Sequence, residues 1–175
     1  MIDILPAKIL PYRYEWPEKF QVEKERLHDI FGNNALEIEH IGSTSIEWLS
    51  SKPIIDIVVM IENHQDADMF TGHLAKIGYK FDSSSTERHY YIKGNPVEYH
   101  LSVAYADRGS FWSRQILFRD YLRNNPDSRD KYAKLKESLL KKDPTGGDKY
   151  VRGKGDFVYK ILGSAGWKEG QRYEK

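Results

Sequence analysis

The chain has 175 residues, 39 % hydrophobic and 30 % charged, with 12 Tyr, 7 Phe and 4 Trp, which suits one folded domain with a substantial core around a sheet. It contains no cysteine, so disulfides, thiol nucleophiles and cysteine metal sites are excluded. A formal charge of +1 gives no signature of a general nucleic-acid binder, and the apolar run Ile57 to Ile61 is far short of a membrane span.

The N-terminal stretch MIDILPAKILPYRYEW is interrupted by Pro6 and Pro11 and lacks a basic start before an apolar block, so it does not read as a signal peptide. A cytoplasmic location is the expectation. Pro17 fits the first position of a helix in which Trp16, Phe20, Leu27 and Phe31 share a buried face. Gly32-Asn33-Asn34 ends it. Ala35 to Ile41 alternates as a short strand that stops at Gly42. Thr44 and Glu47 have capping-box spacing, which predicts a short helix starting just after the glycine and ending at Lys52-Pro53.

Ile54 to Ile61 is apolar on both faces, the pattern of a central strand, with Asp56 as its exception. Glu62 to Asp68 leads into a helix carrying Phe70, Leu74 and Ile77, closed by Gly78. Tyr79 to Thr86 begins as a strand and dissolves into serines. Arg88 to Lys93 and Val97 to Ala104 form a hairpin across Gly94-Asn95-Pro96, with Glu98, His100 and Ser102 on one face of the second strand. Helices follow over Phe111 to Arg123, Asp127 to Lys142 (Tyr132, Leu135 and Leu139 inward) and Phe157 to Ala165, with Asp143 to Asp148 as a loop. The expected fold is α+β: a single domain over 1–175, a small mixed sheet flanked by helices in about 35–105, and a helical part in about 110–166.

The Gly42-Ser43 turn has two readings. It places bare backbone beside a helix start, where unpaired N–H groups hold a phosphate, or it needs glycine only for its backbone angles. Asp56, an acid in an apolar strand, must be protonated, paired (Lys52 is one partner in reach) or bound to metal. His40 before the glycine orients the turn or touches a phosphate. Arg119 and Arg123 share a helix face, suited to oxyanions or to pairing with Asp127 or Asp130; Lys52 and Lys154 extend the set of candidate phosphate-binding cations.

Gly42-Ser43 and Asp56-Ile57-Val58-Val59 together resemble the glycine-serine and acidic-strand signature of the nucleotidyltransferase superfamily, with the DNA polymerase beta-like fold. IEHIGSTSIEWLSSKPIIDIVV, FRDYLRNNPDSRDKYAKLK and YVRGKGDFVYKIL resemble the GrpB family over nearly the whole chain. The resemblance implies a nucleotide or phosphorylated small molecule on Gly42, Ser43 and Thr44, with Mg²⁺ on Asp56 and Glu98, and possible nucleotidyl transfer to a small acceptor. Asp56, Glu98 and His100 are the implied catalytic residues. The chain departs from the pattern at Val58, where the superfamily has a second carboxylate, and at Ser102, where the GrpB pattern often has a second histidine. Val58 supports the alternative of a ligand-binding module without catalysis.

Overall fold

A computed structural model describes residues 7–169. Five strands, β1 (Ala35–Ile41), β2 (Ile55–Ile61), β3 (Tyr79–Ser84), β4 (Arg88–Gly94) and β5 (Val97–Tyr105), form one sheet in the order β1-β2-β5-β4-β3. Strands β2 and β5 run parallel and every other pairing is antiparallel. The parallel pair needs a long crossover, which carries the segment from His64 through β3 and β4. The helices are α1 (Glu15–Phe31), α2 (Thr71–Lys76), α3 (Phe111–Asn124), α4 (Pro126–Lys142), α5 (Asp148–Gly153) and α6 (Gly155–Ser164). The α+β expectation therefore holds, and no helix among the described residues is long and apolar enough to cross a membrane.

Because side chains alternate along a strand, β2 serves two cores. Ile55, Ile57, Val59 and Ile61 pack with Leu101 and Val103 of β5 under Trp16, Leu27 and Phe31 of α1. Val58 and Met60 face the other way, with Ala104 of β5, and meet Trp112 of α3. A third cluster joins Ile46 and Leu49 to Leu122, Tyr132 and Ile161 of the helical half. On the β2 face that carries Val58 and Met60, the first residue is Asp56, and over that end of the sheet lies an open space walled in part by Phe111, Arg114 and Phe118 of α3.

Three local expectations change. Helix α1 starts at Glu15, so Pro17 lies third in the helix, still within the first turn, where its missing N–H has no intrahelical acceptor to lose. The capping box does not form: Ser43–Ser45 is a single 3₁₀ turn, and Thr44 Oγ1 donates to Ile54 O (3.2 Å) instead of capping a helix. Asp148, expected to close the loop, instead starts the separate short helix α5 (Asp148–Gly153).

Helix α1 also buries Glu23 completely, against Lys93 Nζ at 2.7 Å and Arg26 Nη1 at 3.1 Å. Burial and the nearby Glu23 carboxylate push the Tyr79 hydroxyl pKa upward. Glu23→Ala strips Lys93 of its partner in a mostly desolvated place, and urea unfolding is expected to show a loss of about 3 kcal/mol.

Candidate phosphate-binding cleft

Between the open end of the sheet and the helical half lies a cleft of about 480 Å³. Its floor is the Gly42-Ser43 turn, Asp56 and His100, and its far wall includes Tyr132, Tyr150 and Lys154. Gly42 has φ 70° and ψ −174°, a region open in practice to glycine alone. A Cβ there would lie 2.3 Å from Asp56 Oδ2. Glycine thus answers both the turn geometry and the carboxylate pressed against it. Parallel register sets Asp56 beside His100, and His100 Nδ1 meets Asp56 Oδ1 at 2.9 Å. Asp56 is thus paired with His100 rather than with Lys52.

The cations come from both halves of the chain. Lys52 donates to Gly146 O at 3.0 Å and sits 4.5 Å over the Tyr150 ring, and Lys154 sits 4.6 Å over the same ring. Burial lowers the pKa of both lysines, while the charge of Asp56 opposes the shift. Arg88 donates to Ser102 Oγ at 2.6 Å and lies between the rings of Tyr90 and Phe111. Asp56 is the one carboxylate of the lining among the described residues.

Directly behind the turn is Lys136, only 2 % exposed. Its ammonium donates to Ser43 Oγ at 3.0 Å and to Ser50 O at 2.5 Å. Burial, with the nearby charge of Lys154, brings its pKa down to about 7. The sequence reading passed over this residue, yet Tyr132, Leu135, Lys136 and Leu139 follow the i, i+3, i+4, i+7 spacing of an inward helix face.

The other candidates divide by position. His40 and Thr44 are buried beneath the turn, off the cleft surface. Thr44 Oγ1 spends its proton on Ile54 O, so the 2.9 Å contact from His40 Nε2 assigns the imidazole proton to Nε2. His40 stacks on Phe20, and burial lowers its pKa to about 4, which keeps it neutral. Arg119 is held by Glu39 Oε2 (2.5 Å), Asp120 Oδ1 (2.7 Å) and His40 O (3.0 Å). Arg123 donates twice to Ser45 O. Both brace the turn from behind, with Glu39 and Asp120 as acids where Asp127 or Asp130 were expected. Glu98 is exposed and outside the lining, because β2 begins at Ile55 opposite Tyr99 and leaves Glu98 beyond its end.

A family model described as GrpB protein matches residues 6–164. The chain belongs to the GrpB family. This GrpB chain is 36 % identical to a UPF0157 protein of Pseudomonas aeruginosa over 168 residues, 90 % of the chain and 67 % of that protein. It is 30 % identical to a dephospho-CoA kinase of Mycolicibacterium paratuberculosis, covering 83 % of the chain and only 42 % of the kinase. Among solved structures, the conserved protein GrpB of Enterococcus faecalis superposes with a TM-score of 0.84 at 34 % identity, covering 90 % of this GrpB chain and 96 % of the other. The Cid1 poly(U) polymerase superposes with a TM-score of 0.56 at 15 % identity over 83 % of this chain and 49 % of Cid1, which establishes the nucleotidyltransferase-like fold.

Proposed function

We propose that this chain binds a nucleotide or phosphorylated small molecule, with a phosphate seated on the Gly42-Ser43 turn. The observation that carries the reading is the charge of the cleft: Lys52, Arg88 and Lys154 line it, Lys136 stands behind Ser43, and one carboxylate answers them. Such a set favours an anion because the partly desolvated cations gain more from a phosphate than they would in water. The nucleotidyltransferase-like fold and the partial match to dephospho-CoA kinase support a nucleotide-related ligand.

The donor set does not fit a two-metal centre. Among the described residues no group of three His, Cys, Asp or Glu side chains is placed to hold a metal ion. Val58 follows Asp56 on the same face and is packed in the core, and Glu98 is elsewhere. Mg²⁺ entering with a ligand's phosphates would be held by Asp56 alone, where it would neutralise phosphate charge. Nucleotidyl transfer is therefore the second reading, supported by the fold likeness and Asp56, and the binding module is the first.

A thermal-shift series with ATP, UTP and pyrophosphate, each in Mg²⁺ and in EDTA, tests this. At a hundredfold excess over Kd the wild type is expected to gain about 5–10 °C in EDTA, and Lys52→Ala/Lys154→Ala to lose most of that gain. If no phosphate compound stabilises the wild type more than the double variant, the reading is wrong. Release of pyrophosphate that requires Mg²⁺ and is lost in Asp56→Ala would favour the second reading.

A further inference from the structure

The amine of Lys136 is buried, yet its two hydrogen bonds both go to uncharged oxygens, Ser43 Oγ at 3.0 Å and Ser50 O at 2.5 Å. Lys93 shows the usual alternative, since its ammonium meets the Glu23 carboxylate at 2.7 Å. A lysine as deeply buried as Lys136 is ordinarily paired with an acid. The neutral amine removes that need, because it keeps an N–H for Ser50 O and turns a lone pair toward Ser43. The 3.0 Å contact then runs in reverse, with the Ser43 hydroxyl donating to Lys136 Nζ.

Charges from both halves of the chain set the balance between the two forms. Burial and the charge of Lys154 favour the neutral amine, Asp56 of β2 and Glu137 of α4 favour the charged one, and the pKa stands at about 7. The Tyr132 ring, 5.0 Å from Nζ, stabilises the ammonium when it forms. Ser43 itself lines the cleft, together with Lys52, Arg88 and Lys154. A hydroxyl within reach of a ligand thus has behind it an amine able to take its proton, which is the pairing of a nucleophile with its base.

We infer that Ser43 is a nucleophile and Lys136 its general base, acting on the phosphorus of a phosphoanhydride bound in the cleft. The inference rests on the phosphate reading above and adds a reaction that asks no metal centre of this chain. Ser43 Oγ bonds to phosphorus as its proton passes to Lys136 Nζ, and the bridging oxygen leaves with the electrons of its P–O bond, as phosphate or the phosphorylated remainder. Water then displaces Ser43 from phosphorus and gives one proton to solvent, while Lys136 returns its proton to the serine oxygen. The net reaction is hydrolysis. The anionic ligand assists the first step by making the amine more basic, and Lys52, Arg88 and Lys154 offset charge on the phosphoryl oxygens. An amine already protonated from solvent holds phosphate but cannot accept the serine proton.

The test labels the full chain with ATP, in Mg²⁺ and in EDTA, and separately with diisopropyl fluorophosphate, which loses fluoride to an activated serine and needs no phosphate site. Acid-quenched samples are mapped by peptide mass spectrometry, and calorimetry measures ATP binding alongside. Both reagents are expected to modify Ser43 in the wild type and to leave Ser43→Ala unmodified there. Lys136→Met should slow both modifications about 100-fold or more. The wild-type rate at low reagent concentration should rise with pH through about 7 as the amine loses its proton, and this inflection should vanish in Lys136→Met, a change that a bracing role for the lysine would not produce. Circular dichroism and unfolding curves check that both variants fold. ATP binding without modification of Ser43, or equal rates in wild type and Lys136→Met, overturns the nucleophile and base while leaving the phosphate cleft standing. Labelling by the fluorophosphate in a chain that does not bind ATP overturns the phosphate reading and with it the phosphoanhydride substrate.

Discussion

Gly42→Ala is expected to lose about 3 kcal/mol of stability and most phosphate binding. Two costs combine. Alanine is strained at φ 70° and ψ −174°, and its Cβ would sit 2.3 Å from Asp56 Oδ2, so the carboxylate must leave His100. Gly32→Ala separates the two contributions, since Gly32 also has a positive φ of 50° but a Cβ there meets nothing within 4 Å. Urea unfolding should give about 1–2 kcal/mol for Gly32→Ala, with no effect on ligand binding. In an Asp56→Ala background, Gly42→Ala should cost less than it does in the wild type, because carboxylate and methyl no longer compete for the same space. Additive losses would mean that the turn and the carboxylate are independent.

Lys136→Met is expected to weaken pyrophosphate binding by about 10- to 100-fold while leaving stability nearly level. The substitution deletes the ammonium behind Ser43 and leaves Ser50 O without its donor, but it also removes a charge that is costly to bury. The pH dependence identifies the residue. Its folded pKa of about 7 lies below the ordinary 10.5, so between those values the unfolded chain binds a proton that the folded chain has released. The burial penalty is thus complete below about pH 7 and is relieved as pH rises through that window. Wild-type stability relative to Lys136→Met should therefore increase with pH between about 7 and 10.5. Binding has the opposite trend: a phosphate favours the charged amine, so affinity falls as pH rises above 7. Calorimetry at about pH 8.5 in buffers of different ionisation enthalpy should detect proton uptake on binding in the wild type and a smaller uptake in the variant. A flat difference in stability and equal proton uptake would remove Lys136 from the site.

These two residues mark what the chain disclosed in advance and what it did not. Gly42 and Asp56 were legible because each breaks a local pattern, a glycine ending a strand and an acid inside an apolar one. Strand β2 was legible because both its faces are buried, and the β4–β5 hairpin because Gly94-Asn95-Pro96 can only turn. Lys136 was hidden by its type. A lysine among Lys131, Lys134 and Lys141 reads as a solvated face, although its position in the turn after Tyr132 places it inward. Arg119 and Arg123 were read as facing a ligand because their partners, Glu39 and Ser45 O, are about eighty residues away, and spacing along one helix carries no information about them. Thr44 and Glu47 had the right spacing for a cap, but Thr44 bonded to Ile54 O, just before β2, instead, a tertiary contact that outweighed local preference.

The two halves of the cleft are joined by contacts between residues far apart in the chain: Ser43 with Lys136, 93 residues apart, and Lys52 with Gly146, 94 apart. The β4–β5 hairpin and the helices close short loops, whereas these contacts must bring together distant parts of the chain and bear the greater closure entropy. The sheet and the helical half should therefore assemble before the cleft does, and local opening should begin where assembly ended. Hydrogen exchange at the Gly42-Ser43 turn and around Tyr150 would then be faster than in β2 and β5, and a bound phosphate would slow it by tying together the two halves that meet there.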